Sequence, residues 1–193
     1  MKKNPRKKQI VDAAARTIAE KGYDSASIKE IAMEAGLAAH GLIHYYFKTK
    51  EDILHEVLRR SRERCETEFG EPLPDDSAKP LFEAEPARPR TAAHGHEADW
   101  YKLRYELFAQ GLRSPRLAGE VGELLEIGRS GIADVLDASL RGIEDEERDA
   151  LSAILLSCFD GLALQKLLNP ELDLEKAYGL LETMIVNRFS SAD

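Results

Sequence analysis

Two glycines, Gly22 and Gly36, bracket the stretch that most limits how this chain can fold. Before the first, Val11, Ala14, Ala15 and Ile18 recur with helical spacing over residues 7–21, and Gly22 supplies the stop. Between the glycines, Ser27 and Glu30 have the spacing of a capping box, in which each side chain takes up the other residue's free backbone N–H. Ile28, Ile31, Ala32 and Ala35 then face inward until Gly36 closes a helix too short to be stable unless it packs on neighbours. The next residues, GLAAHGLIHYYF, leave room for one more short helix over residues 39–46. Thr49, followed by Glu51 and Asp52, reads as the N-cap and acidic first turn of a longer helix reaching about Phe69.

Two short helices joined near a glycine, with a supporting helix before and a longer one after, are the plan of a helix-turn-helix, whose second helix enters the DNA major groove. The row of rings in the third helix divides into two faces. Ile43 and Phe47 lie one turn apart and fill the inner face with help from Tyr46, which leaves His40, His44 and Tyr45 pointing outward. Imidazole and phenol tips on an outward face suit phosphates and base edges better than open water.

Charge supports a polyanion partner for this end of the chain. Residues 1–64 hold 14 Lys and Arg against 9 Asp and Glu, a net +5, whereas the whole chain is at −8, which leaves −13 for the rest. Lys2, Lys3, Arg6, Lys7 and Lys8 form a basic arm. The two cysteines, Cys65 and Cys158, make no metal-binding spacing and read as free thiols, and His94 and His96 lack further ligands nearby, so no metal site is expected. No glycine-rich phosphate loop, HExxH or GxSxG is present, and an enzyme is not expected. The basic N-terminus is followed by no apolar signal core, and no uninterrupted apolar run is long enough for a bilayer, so a soluble cytoplasmic protein without membrane contact is expected.

Beyond Gly70 five of the eight prolines cluster at Pro72, Pro74, Pro80, Pro86 and Pro89, which makes this stretch a loop. Helical segments follow over residues 98–112, 115–140, 144–168 and 174–189, the second with glycine interruptions at 119, 122, 128 and 131. No strand alternation occurs. The fold class is all-α, with an N-terminal helix-turn-helix over residues 1–48, a connecting helix over 49–70, the proline-rich loop over 71–97, and a helical body over 98–193.

The run SIKEIAMEAGLAAHGLIHYYFKTKEDIL resembles the DNA-binding region of the tetracycline-repressor (TetR) family of bacterial regulators. Ile31, Ala32, Ala35, Gly36, His44, Tyr46, Phe47, Lys50 and Glu51 take the places of that family's pattern, and Ile10, Ala13, Ala14, Gly22 and Tyr23 extend it upstream. LSCFDGLALQKLLNPELDLEKAYGLLETMI looks like the family's last two helices. The chain departs from the pattern at Ala38 and Ala39, where the turn is one residue longer and lacks a side-chain cap.

The resemblance implies a transcriptional regulator, most simply a repressor, that binds a near-palindromic double-stranded operator as a homodimer and is released by a small-molecule effector. Counted back from Phe47, Ala39, His40, Gly41, Leu42 and Tyr45 approach base edges, while Ser27, Lys29, His44 and Lys50 hold phosphates. The dimer interface is carried by Leu155, Phe159 and Leu162 on one helix and Tyr178, Leu181 and Ile185 on the next. Trp100, Tyr101, Arg104, Tyr105 and Phe108 are the candidates for effector contact, although aromatic residues at helical spacing serve a core more often than a pocket. No cofactor is implied. The competing reading is an architectural DNA-binding protein with the same head and no inducer.

Overall fold

The structure, a computed structural model, describes residues 4–37, 39–70, 95–140 and 142–189, without the side chains of residues 40, 68–70 and 95–97. The proline cluster, His94, and Lys2 and Lys3 of the basic arm lie outside the described residues, as does the side chain of His96. Among the described residues there is no strand. The helices are α1 (Pro5–Lys21), α2 (Ile28–Glu34), α3 (Ile43–Tyr46) preceded by a 3-10 turn (His40–Leu42), α4 (Lys50–Gly70), α5 (Gly95–Arg113), α6 (Pro115–Ser139), α7 (Asp145–Leu168) and α8 (Leu174–Phe189).

Each helix start has a local cause. Asn4 caps α1 by accepting from the Arg6 N–H, and Pro5 occupies the first helical position, where its missing N–H is no loss, so the helix begins two residues earlier than its apolar pattern suggests. The capping box of α2 is complete, with Ser27 Oγ accepting from the Glu30 N–H and Glu30 accepting from the Ser27 N–H. At α4, Thr49 Oγ1 accepts from the Asp52 N–H at 3.0 Å and the Asp52 carboxylate accepts from the Thr49 N–H at 2.9 Å. The glycines inside α6 do not interrupt it, because apolar neighbours at Leu117, Val121, Leu124, Ile132, Val135 and Leu136 are buried along its length.

The chain forms two compact units, one of Met1–Arg64 with Asp99–Leu124 and the other of Cys65–Ala98 with Leu125–Asp193. In the first, Ile10, Ala13, Ala14, Ile31, Ala32, Ile43, Ile53, Leu54, Leu58, Leu107 and Leu124 are all fully buried. Removing each isoleucine or leucine from water favours folding by about 1.5–3 kcal/mol. Gly111 lets α5 and α6 approach closely, since a Cβ there would stand 2.9 Å from the Val121 Cβ. In the second unit, Ile132, Val135 and Leu136 of α6 pack with Leu155 and Phe159 of α7 and Leu174, Tyr178 and Ile185 of α8. Phe159 meets Tyr178 edge-on at 5.9 Å between ring centres.

That core changes the part expected of several residues. Leu155, Phe159, Tyr178 and Ile185 are 1–5% exposed within one protomer, and Leu162 and Leu181 pack partly buried against them. The large apolar side chains left uncovered on the same helices, among the described residues, are Ile154, Leu164 and Leu168 on α7 and Leu180, Met184 and Val186 on α8. α7 is apolar on both sides, and its mean hydropathy reaches 1.5 over 18 residues, a stretch that Asp160 and Lys166 interrupt.

Candidate nucleic-acid interface

The turn into α3 is built from the end of α2. The Gly36 N–H donates to the Met33 carbonyl at 2.9 Å and the Leu37 N–H to the Ala32 carbonyl at 3.0 Å, the bond pair of a Schellman motif. Gly36 sits at φ +61°, where an L side chain is strained, and Leu37 is buried as the motif's apolar anchor. The extra length of the turn leads into the 3-10 segment over His40–Leu42, so the regular α-helix begins only at Ile43 and not near Ala39. Leu42 occupies the N-cap and makes no side-chain bond.

The two faces of α3 are distinct. Ile43 is fully buried and Phe47 is 4% exposed, which fixes the helix to the core of the head. On the other side Tyr45 is 81% exposed, its ring edge-on to Tyr46 at 5.0 Å, and Leu42, His44 and Gly41 are exposed with it. Ala39 and Lys29 are exposed as well, while the side chain of His40 lies outside the described residues. Lys48, not singled out from sequence, stands exposed just past this helix; its position immediately after Phe47 was the available signal.

Two residues assigned to phosphates are already engaged inside the head. Lys50 Nζ donates to the Tyr23 carbonyl at 2.8 Å and the Asp24 carbonyl at 3.3 Å, and lies 4.3 Å from the centre of the Tyr23 ring. Its charge therefore holds the α1–α2 turn. The Ser27 hydroxyl donates to Glu30 while it accepts from the Glu30 N–H. Glu30 also takes a 2.8 Å bond from Lys21, which with the Ser27 bonds pushes its carboxyl down to about 2.

Along α4 a cavity of about 630 Å³ is lined by Lys7, Phe47, His55, Arg59 and Glu120 among others. Several of its polar side chains are paired: Glu56 accepts from Lys7 at 3.1 Å and from Arg59 at 2.6 Å, and His55 meets Glu120 at 2.5 Å. The aromatic row of α5 lies in the same unit. Tyr101 stacks on Tyr105 at 6.1 Å, and Arg104 is 5% exposed and lies 4.8 Å from the centre of the Phe108 ring. Trp100 carries the Arg64 guanidinium at 4.7 Å from its ring centre.

Known proteins match this arrangement over most of the chain. Residues 10–57 fit the family model of bacterial regulatory proteins of the tetR family, and residues 89–186 fit that of the tetracyclin repressor-like C-terminal domain. The HTH-type transcriptional regulator BetI of Cronobacter sakazakii is 28% identical over 196 residues, covering 97% of this chain and 92% of that one. The fatty acid metabolism regulator protein of Bacillus subtilis is 47% identical over 57 residues, which is 30% of this chain and 29% of that one. Among solved structures, a transcriptional regulator from Rhodococcus sp. Rha1 superposes with a TM-score of 0.80 at 25% identity, covering 97% of this chain and 99% of that one. A transcriptional regulator from Saccharomonospora viridis, solved in complex with choline, gives 0.70 at 26% identity over 88% of each chain. A short reading helix buried on one face and open on the other, together with family matches to both the head and the body, shows that the chain belongs to the TetR family of DNA-binding bacterial transcriptional regulators.

Proposed function

We propose that the chain is a repressor that binds a near-palindromic operator as a two-fold dimer and is released when a small molecule binds the body. The observation that carries this reading is the outer face of α3, where Tyr45 at 81% exposure, Leu42 and His44 stand uncovered over a helix anchored by Ile43 and Phe47. Rings and an aliphatic chain in that position are matched by base edges and sugar-phosphate. Base readout falls to Ala39, His40, Gly41, Leu42 and Tyr45, and phosphate contact to Lys29, His44 and Lys48. Ser27 and Lys50 act behind them as supports. The functional division follows the chain: reading head to residue 48, connecting helix, proline-rich loop, and body from residue 98.

The dimer is assigned to the uncovered stripe of α7 and α8, where Ile154, Leu164, Leu168, Leu180 and Met184 are 42–78% exposed. Two helices from each subunit make a four-helix interface, and the two-fold axis sets the reading helices about 34–36 Å apart or somewhat further. The effector is assigned to the aromatic row of α5, with Trp100, Tyr101, Tyr105 and Phe108 as walls. The choline-bound relative supports a small organic effector for a body of this kind. Here Arg104 and Arg64 already lie on the faces of Phe108 and Trp100, which disfavours a second cation on those rings. Coupling between effector and operator is on the order of 1–3 kcal/mol.

The test is retention of sheared host genomic DNA at moderate salt, followed by sequencing. A small set of near-palindromic sites supports the regulator. Retention without a shared site supports the architectural reading instead.

A further inference from the structure

Three side-chain links tie α1 to α2. Lys21 meets Glu30 at 2.8 Å near the start of α2, Arg16 meets Glu34 at 2.7 Å at its last turn, and Gln9 Nε2 donates to the Ala35 carbonyl at 2.6 Å at its C-cap. The first two are exposed ion pairs, which salt and the phosphates of bound DNA weaken. The third is a neutral bond. It reaches the carbonyl that immediately precedes Gly36, the residue whose left-handed backbone turns the chain toward the reading helix.

The amide of Gln9 has its orientation set. Its Oε1 accepts from Arg6 Nη1 at 2.8 Å, so its Nε2 faces the Ala35 carbonyl. Arg6 is in turn placed by Asn4, whose side chain accepts from the Arg6 N–H at 3.1 Å. A chain of bonds thus runs from the start of α1 to the turn before the reading helix. The turn is otherwise held by the backbone bonds of the Schellman motif and the buried Leu37, and Leu42 caps α3 without a side-chain bond.

We infer that Gln9 is a positioning residue for DNA recognition: by holding the Ala35 carbonyl it fixes the register of the turn, and so of the outward face of α3, without itself reading a base. This inference rests on the proposed sequence-specific reading by α3. Gln9 is exposed and, among the described residues, bonds the turn at the Ala35 carbonyl, so its loss alters placement of the turn more than the stability of the head.

The experiment compares the wild-type chain with Gln9→Met, which has the length but no donor, and Gln9→Lys, which restores a donor. A duplex consensus is first selected from a random library by the wild-type chain. The measured quantity is the ratio of affinity for that consensus over a scrambled duplex, alongside melting temperature and amide exchange at Gly36 and Leu37. Gln9→Met is expected to lower the ratio about 5- to 10-fold, with melting temperature lowered by only a few degrees, as the loss of one hydrogen bond from the free head implies, and exchange at both amides faster. Gln9→Lys is expected to hold the ratio. An unchanged ratio in Gln9→Met, or a fall that tracks melting temperature and is not restored by Gln9→Lys, overturns the inference. If the wild-type chain selects no consensus, the proposed reading is what fails, and exchange at Gly36 and Leu37 still decides the tether: unchanged rates in Gln9→Met overturn it.

Discussion

Lys50, at the first turn of α4, grips Tyr23 twice: its ammonium donates to the Tyr23 carbonyl at 2.8 Å and lies 4.3 Å from the centre of the Tyr23 ring. A residue expected on phosphates is thereby a brace between the start of α4 and the turn linking α1 to α2. Lys50→Met keeps the stem and removes the charge. It is expected to cost about 1–2 kcal/mol, the lower range for a charged hydrogen bond at a half-exposed site. Chemical denaturation measures the loss. The salt dependence of DNA binding should stay unchanged, because each lost phosphate contact lowers that slope by about one.

Tyr45 has the opposite character. With 81% of its surface exposed it contributes little to the fold, so Tyr45→Ala should leave stability within about 0.5 kcal/mol. Its loss from the interface should lower affinity for a selected site about tenfold or more, as expected for about 1.4 kcal/mol of lost contact. Titration of labelled duplex, with thermal melting as control, separates the two effects.

Acid should act on the head through Glu30. Its carboxyl is lowered from the ordinary 4.5 to about 2, first by the Lys21 bond and then by the bonds from Ser27. A carboxyl lowered by folding adds stability that is present above its unfolded value and disappears as pH falls through the folded one. The contribution of Glu30 should therefore be full at neutral pH and decline from about 4.5 toward about 2. Glu30→Ala should remove that part of the acid dependence, read from melting temperature between about pH 2 and 6.

At Gly111 the approach of α5 to α6 leaves no room for a methyl group. A Cβ there meets the Val121 Cβ and Cγ2 at 2.9 Å, atoms on a branched side chain that cannot swing away. Gly111→Ala should cost about 1–3 kcal/mol despite its better helix propensity. A variant as stable as the wild type in urea unfolding would show that the two helices part freely.

The uncovered and covered sides of α7 should respond differently. Ile154→Glu changes a side chain that is 55% exposed, and should yield a folded monomer by analytical ultracentrifugation with helical content intact. Leu155→Ala hollows a position that is 1% exposed, and should cost about 2–5 kcal/mol of unfolding free energy. Dimerisation of Ile154→Glu at wild-type strength would remove this stripe from the interface.

Local signals explain what was legible in the sequence. Gly22, the Ser27 and Glu30 pair, Gly36 and the i, i+4 pair Ile43 and Phe47 each act within a few residues, and they define α1, α2 and the buried side of α3 as found. The direction of a long side chain is set by distant neighbours, and Lys50 depends on carbonyls 26 and 27 residues away. Arg104 likewise lies in the interior, with the Phe108 ring one turn along α5 among its contacts. On α7, apolar residues recur on both sides, so periodicity alone does not tell Ile154, which is open, from Leu155, which is buried. The start of α3 was missed because a 3-10 turn leaves no mark in a pattern of 3.6 residues.

The central claim is that two copies of the α3 face read one duplex across a two-fold axis. Hydroxyl-radical footprinting of the wild-type chain on a site recovered from host DNA tests it most directly. Two symmetric protected patches are expected on one side of the duplex, centred about 34–36 Å apart or somewhat further, both lost in Tyr45→Ala. A single patch, or protection spread evenly along any duplex, would contradict it.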